Sequence, residues 1–308
     1  MRSFHSLLGA TGLLLSAALL SLAAQGATPV AAETVANPSV PTALDLQLAQ
    51  AGPTVPASVP GGEALLFDNG PFVTNPGAGF GGADASAVQT ALGVSGYGFG
   101  HAISSGFRVA DDFTVPAGGW TINAITFYAY QTGSTTTTTI NNINLRIWDG
   151  VPGAPGSNIV FGDTTTNRLA SSSSTNAYRV ADYDMLGDTR PIMASAATVG
   201  TNLGAGTYWL DWQSGGTLGS GPWAPPVTIA GTTGKPGANG MQFNGSAWGP
   251  LVDTIAGTAQ DLPFVIDGTE AATAEPPRLV PAFGLVGGAL LGLLLAGFAL
   301  VLLQRRAG

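Results

Sequence analysis

The pattern of hydrophobic residues divides the chain into three regions. Residues 7–22 and 279–304 are mostly apolar runs near the two ends, and the second run contains no charged side chain. Between residues 63 and 267, short runs of branched and aromatic residues are separated by Gly, Pro, Asn, Asp and Ser. Such spacing is typical of β-strands joined by turns. The pattern therefore predicts a β-rich domain between two apolar termini.

The middle region shows the two-residue period of strands and no helical period. The clearest predicted strands are residues 107–113, 121–131, 142–148, 158–161, 177–183, 206–212, 241–244 and 263–267. Ile125 and Phe127 share one face of their strand, as do Leu145 and Ile147. Many short strands with turns between them favour an all-β fold, an antiparallel β-sandwich. We expect these four side chains and Leu210 to be buried.

The composition outside this domain divides the chain into five segments. Residues 1–26 resemble a signal peptide, with Arg2 and His5 before the apolar run and small residues where cleavage could follow Gly26 or Ala32. An uncleaved N-terminal anchor is the alternative. Residues 27–60 are rich in proline, which predicts a disordered tether with few contacts to the domain. The β-sandwich is expected at 61–268, a second linker at 269–277 and a C-terminal tail at 278–308.

The apolar run of the tail is long enough to cross a bilayer as a helix, which needs about 20 residues. Arg305 and Arg306 follow it at once, and such a basic pair prefers the cytoplasmic side. The domain is therefore expected at the outer face of a membrane. A helix that is cleaved during sorting and a permanent single-pass anchor both fit the pattern.

The tail also resembles known sorting signals in the order of its parts. Val280, Pro281, Ala282 and Phe283 lie at the start of the apolar run, and the basic pair Arg305–Arg306 follows its end. This order is similar to the C-terminal sorting signals of Gram-negative bacteria, the PEP-CTERM, IPTL-CTERM and GlyGly-CTERM classes. Only Pro281 is identical to the Ile-Pro-Thr-Leu motif. The resemblance implies export through the inner membrane and recognition by a membrane sorting protease.

The middle of the chain resembles bacterial secreted β-sandwich modules. The resemblance rests on residues 110–116 (ADDFTVP), 147–150 (IWDG) followed by Pro152-Gly153, and 206–210 (GTYWL), which occur in this order. It implies a jelly-roll-like sandwich and a location at the cell surface or envelope. It implies no particular activity.

Charge and cysteine content exclude several function classes. The net charge is −8, and Lys235 is the only lysine. The domain lacks the cationic surface that phosphate backbones require, so nucleic acid is not an expected partner. The absence of cysteine excludes disulfides, thiol catalysis and thiolate zinc sites.

The residues available for catalysis are few. His101, in a glycine-rich stretch, is the only histidine beyond the predicted signal peptide and would have to serve as the base of a Ser-His-Asp triad. No nucleophile-elbow sequence accompanies it. Aspartates are numerous, but most are expected to cap turns rather than to form the carboxylate pair of a glycosidase. We therefore predict no enzyme, with a hydrolase as the weaker alternative.

The sequence predicts no cofactor, with calcium as the alternative that closely spaced aspartates suggest. Asp182, Asp184 and Asp188 lie close together in a predicted loop, and Asp111-Asp112 form a second pair. Calcium takes six to eight oxygen ligands from such groups. The alternative is a set of solvated acidic turns.

Tryptophans suggest a binding role. Trp212, Trp223 and Trp248 lie near glycines and prolines and could form an exposed platform for sugar rings; the alternative is that they fill the core. The sequence thus predicts a membrane-sorted surface protein with a structural or binding role. A carbohydrate-binding module, with extracellular polysaccharide as partner, is the alternative.

Overall fold

Two six-stranded sheets dominate the structure, a computed structural model that describes residues 32–35 and 64–270. The strands in these ranges are β1 (Ala32–Thr34), β2 (Ala64–Asp68), β3 (Asp84–Val88), β4 (Gly96–Gly100), β5 (Arg108–Val115), β6 (Trp120–Ala129), β7 (Ile140–Trp148), β8 (Ile159–Asp163), β9 (Leu169–Ala181), β10 (Pro191–Leu203), β11 (Gly206–Gly216), β12 (Trp223–Ala224), β13 (Met241–Phe243), β14 (Trp248–Pro250) and β15 (Phe264–Glu270). The helical elements of the described ranges are three short 3-10 turns. The predicted all-β class is confirmed.

The strands form two large sheets and one small one. The first sheet has the order β2-β15-β6-β10-β9-β3, and the second has the order β14-β13-β5-β11-β7-β8. A small sheet joins β1, β4 and β12. Neighbouring strands are antiparallel, as predicted, except that β3 runs parallel to β9. The first sheet is therefore mixed rather than purely antiparallel.

The main core lies between the two large sheets. Ile125 and Phe127 of the first sheet meet Leu145, Ile147 and Leu210 of the second in one apolar cluster. Each of these five side chains is at most 1% exposed, which confirms their predicted burial. Side chains of a strand alternate between its faces, so this inward row leaves the intervening residues on the outer faces.

Strand β10 has no counterpart among the predicted strands. Its inward positions alternate as in any strand, but they include the small residues Ser195 and Ala197 beside Met193 and Val199. Small residues give a weak hydrophobic period, so the alternation is hard to recognise in the sequence. The strand is held by its central place in the sheet, between β6 and β9.

Residues 32–35 correct the prediction that the segment 27–60 makes few contacts with the domain. β1 pairs with β4, and the Glu33 carboxylate lies 2.7 Å from Arg190 Nη2 and accepts a hydrogen bond from Tyr130 Oη at 2.8 Å. Val35 is buried. This piece lies between Pro29 and Pro38 and contains no proline, so its backbone can pair with a sheet. At the other end, β15 extends to Glu270, past the predicted boundary at 268.

Candidate functional site

The outer face of the second sheet carries charged side chains in register. Val109 on β5 and Leu210 on β11 belong to the core. The neighbouring Arg108 and Asp211 therefore point to the opposite face, where Arg146 of β7 lies directly across from Asp211. Alternation thus places two arginines and one aspartate on three adjacent strands.

Asp211 links these strands through a buried ionic network. Its side chain is fully buried, and Oδ1 accepts a hydrogen bond from Arg108 Nε at 3.0 Å. Oδ2 accepts from Arg146 Nη2 at 2.6 Å and from Trp148 Nε1 at 3.1 Å. Burial lowers the pKa of the Arg108 guanidinium, and the Asp211 carboxylate opposes that shift.

Arg108 also supports an aromatic pair on the β13–β14 hairpin. Its guanidinium carbon lies 4.2 Å from the ring centroid of Phe243 and 5.2 Å from that of Trp248. The two ring centroids are 5.4 Å apart. Stacking on a guanidinium fixes aromatic rings through cation–π attraction. The buried network therefore positions the two rings.

These rings line a surface groove with a volume of about 600 Å³, named here the aromatic groove. One wall is the turn after β7 and the other is the hairpin; the lining residues are Val151, Pro152, Gly153, Ala154, Met241, Phe243, Ser246, Ala247 and Trp248. Gly153 has φ +76°, and a Cβ there would lie 3.0 Å from Trp248 Cδ1. Glycine thus lets the turn approach the indole closely.

The chemistry of the aromatic groove favours binding over proton transfer. None of its lining residues, all within the described ranges, has a titratable side chain. Two half-buried rings offer flat apolar surfaces, and the Ser246 hydroxyl adds a hydrogen-bonding group. Concave apolar sites with few polar groups are typical of ligand binding.

The structure separates the three tryptophans of the predicted platform. Trp212 is 1% exposed and packs in the core, 5.0 Å from Phe127 between ring centroids, so it cannot contribute to an exposed surface. It lies two residues after Leu210 on β11 and shares its inward face. Trp223 belongs to the small sheet and donates a hydrogen bond from Nε1 to Ser220 Oγ. Trp248 alone of the three lines the aromatic groove.

The predicted calcium ligands are not assembled into a site. Asp182 accepts hydrogen bonds from Thr90 Oγ1 at 2.5 Å and from Ala91 N at 3.1 Å. Asp111 is buried in the core side of β5, whereas Asp112 follows it on the other face. Within residues 32–35 and 64–270, no group of three or more His, Asp or Glu side chains is placed to hold a metal ion, so Asp182, Asp184 and Asp188 do not form one.

His101 lies in a buried pair rather than in a triad. Its Nε2 is 3.0 Å from Ser214 Oγ, and its Nδ1 faces the Phe99 carbonyl at 3.4 Å. Both His101 and Ser214 are at most 1% exposed. Burial lowers the pKa of the imidazole to about 4, so the ring is neutral at physiological pH. The carboxylate that would orient a catalytic base is replaced here by a backbone carbonyl.

Comparisons with protein-family models, with curated proteins and with solved structures found no match to this chain. In residues 32–35 and 64–270, no helix has the length and apolar character needed to cross a membrane. The predicted sorting residues Val280, Pro281, Ala282, Phe283, Arg305 and Arg306 lie outside the described residues.

Proposed function

We propose that this protein is exported, sorted to the outer face of a membrane and binds an extracellular ligand through the aromatic groove. The observation that carries the binding role is the pair Trp248 and Phe243, which is held over Arg108 at the rim of an open groove. A role in binding without catalysis is supported by the lack of titratable side chains in the groove lining of the described domain.

The proposed cellular location rests on the sequence of the two ends of the chain. The N-terminal segment has the order of a signal peptide, and the tail has the order of a sorting signal with a transmembrane helix. On this proposal the partners are the membrane and a sorting protease, and the domain is a jelly-roll-like sandwich of the secreted type. A structural role in the envelope or matrix is compatible with the same location.

The second candidate function is carbohydrate binding, for which the aromatic groove gives a specific reason. Aromatic rings present a large, flat apolar face, and the apolar C–H face of a sugar ring stacks on such a surface. Trp248 supplies the indole, Phe243 a second ring, and Ser246 a hydroxyl for hydrogen bonding. Extracellular polysaccharide is therefore the ligand class to test first.

Affinity electrophoresis through gels that contain neutral or acidic polysaccharides tests this proposal. We expect at least one polysaccharide to retard the detergent-purified protein, and Trp248→Ala to lose most of that retardation because it removes the largest ring of the groove. Tyr183→Ala is the matched control, since Tyr183 is 54% exposed and lies outside the groove. Equal retardation of the wild type and Trp248→Ala would rule out the aromatic groove as the binding site. If no gel retards the wild type, polysaccharide binding is ruled out and the structural role is the remaining candidate.

A further inference from the structure

The only lysine of the chain contacts a buried asparagine on another part of the fold. Lys235 lies between β12 and β13, and its Nζ is 2.8 Å from Asn69 Oδ1 and 3.1 Å from the Asn69 backbone oxygen. The Nζ is also 3.0 Å from Asp261 Oδ2. The amine of Lys235 therefore meets an amide carbonyl and a carboxylate at once.

The Asn69 amide is fixed in one orientation. Asn69 follows β2 and is 3% exposed. Its Nδ2 donates one hydrogen bond to Asp111 Oδ2 at 2.8 Å and another to the Leu262 backbone oxygen at 2.9 Å. The carbonyl of the amide thus faces the lysine, while its nitrogen faces the carboxyl of Asp111.

Asp111 is a carboxyl group that can keep its proton. It is fully buried on β5, and the hydrogen bonds that it accepts from the described residues come from neutral donors: Asn69 Nδ2, Leu262 N and Asp112 N. Burial raises the pKa of Asp111 well above its usual range, and the nearby charge of Asp261 adds to that shift. A protonated carboxyl beside the amide nitrogen is a general acid for a leaving amine.

We propose that Lys235 and Asn69 form an intramolecular isopeptide bond in the folded protein, with Asp261 and Asp111 transferring protons. The proposal rests on the placement of the four side chains and is independent of the aromatic groove. Positioning an amine against a carbonyl in this way converts a slow bimolecular reaction into an intramolecular one.

The reaction balances without any further reactant. The Lys235 ammonium gives a proton to Asp261, and the neutral Nζ attacks Cγ of Asn69. Asp111 gives its proton to Nδ2 of Asn69, the Cγ–Nδ2 bond breaks, and ammonia leaves. The carboxylate of Asp111 then takes the surplus proton from the new amide nitrogen, and Asp261 releases its proton to the departing ammonia. One amide C–N bond has formed, one has broken, and one ammonium ion is released.

The bond would be a covalent cross-link in a chain that has no cysteine and therefore no disulfide. It would join residues that are 166 positions apart and connect the segment after β2 in the first sheet to the segment before β13 in the second. Cross-links that close long loops stabilise a fold chiefly by restricting the unfolded chain.

Tandem mass spectrometry of a proteolytic digest tests the proposal directly. The full chain is purified from cells, unfolded and digested. We expect a branched peptide that joins Asn69 to Lys235 and is lighter than the sum of its two arms by one ammonia molecule. Recovery of separate, unmodified peptides that carry Asn69 and Lys235 from the folded wild type would overturn the proposal.

The control variants separate the isopeptide bond from other reactions of Asn69. Asn69 precedes Gly70, and cyclisation of this pair to a succinimide would also release ammonia. Lys235→Arg keeps the positive charge near Asp261 but cannot form the bond, so its digest should lack the branched peptide and its intact mass should show no loss of ammonia. A persistent loss in Lys235→Arg, together with a wild-type digest that lacks the branched peptide, would identify the succinimide as the source of the ammonia and contradict the proposal. Asp111→Asn should fold with little or no bond; a complete bond in that variant would remove Asp111 from the mechanism.

Discussion

Replacing Asp211 with asparagine is expected to destabilise the domain strongly. The substitution keeps the size of the side chain but leaves Arg108 and Arg146 facing each other without their shared carboxylate. Removing one partner of a buried ion pair costs about 3–5 kcal/mol. Because each arginine side chain retains 14% exposure, we expect a value near the lower end, about 3 kcal/mol. Urea denaturation followed by circular dichroism measures the free energy of unfolding.

The control for this prediction is Asp188→Asn, which also removes one negative charge. Asp188 is exposed, and surface substitutions of this kind change stability by about 0.5 kcal/mol or less. If Asp211→Asn unfolds at the same urea concentration as Asp188→Asn, the network under the aromatic groove does not hold the second sheet together.

Trp212→Ala is expected to cost about 3–5 kcal/mol of stability, the range found when a large buried aromatic is truncated. Its indole is 1% exposed and contacts the rings of Phe127 and Phe264 between the two sheets. Its Nε1 is buried and has no hydrogen-bond partner among the residues that the structure describes. Trp212→Phe should therefore lose far less, because it keeps much of the packing and removes an unsatisfied donor.

The matched comparison is Trp248→Ala, which removes the same type of side chain, a half-buried indole that lines the aromatic groove. We expect it to cost about 1 kcal/mol, measured in the same urea experiment. A larger loss for Trp248→Ala than for Trp212→Ala would mean that the indole of the groove has a structural role and would weaken the binding proposal.

Alternation along single strands explains what the sequence could predict. Ile125, Phe127, Leu145 and Ile147 repeat at every second position with large side chains, so their burial follows from the pattern. The same rule, applied to β11, places Trp212 inward with Leu210, and it could have removed Trp212 from the platform. In β10 the inward positions are mostly small, which leaves too little contrast for the period to be recognised.

Pairing between distant strands explains what the sequence could not predict. Phe243 meets Arg108 only because β13 pairs with β5, and the groove appears only when the turn at 151–154 reaches that hairpin. Lys235 and Asn69 likewise meet through the arrangement of two sheets. The single strands carry no signal for these contacts, because the side-chain period specifies a face and not a partner. Asp111 and Asp112 appear as a carboxylate pair in the sequence, yet the pleat sends them to opposite faces.

The central claim, that the tail holds this protein at a membrane, is tested most directly by fractionating cells that express Leu291→Asp/Leu294→Asp. Two aspartates near the centre of the apolar run each oppose insertion by about 2.5–3.5 kcal/mol. We expect the double variant and a chain truncated after Pro277 to leave the membrane fraction, and the wild type to sediment with membranes. If the double variant still sediments with membranes and the truncated chain is released, the apolar run is not what retains the protein at the membrane. The proposed mode of membrane attachment is then wrong.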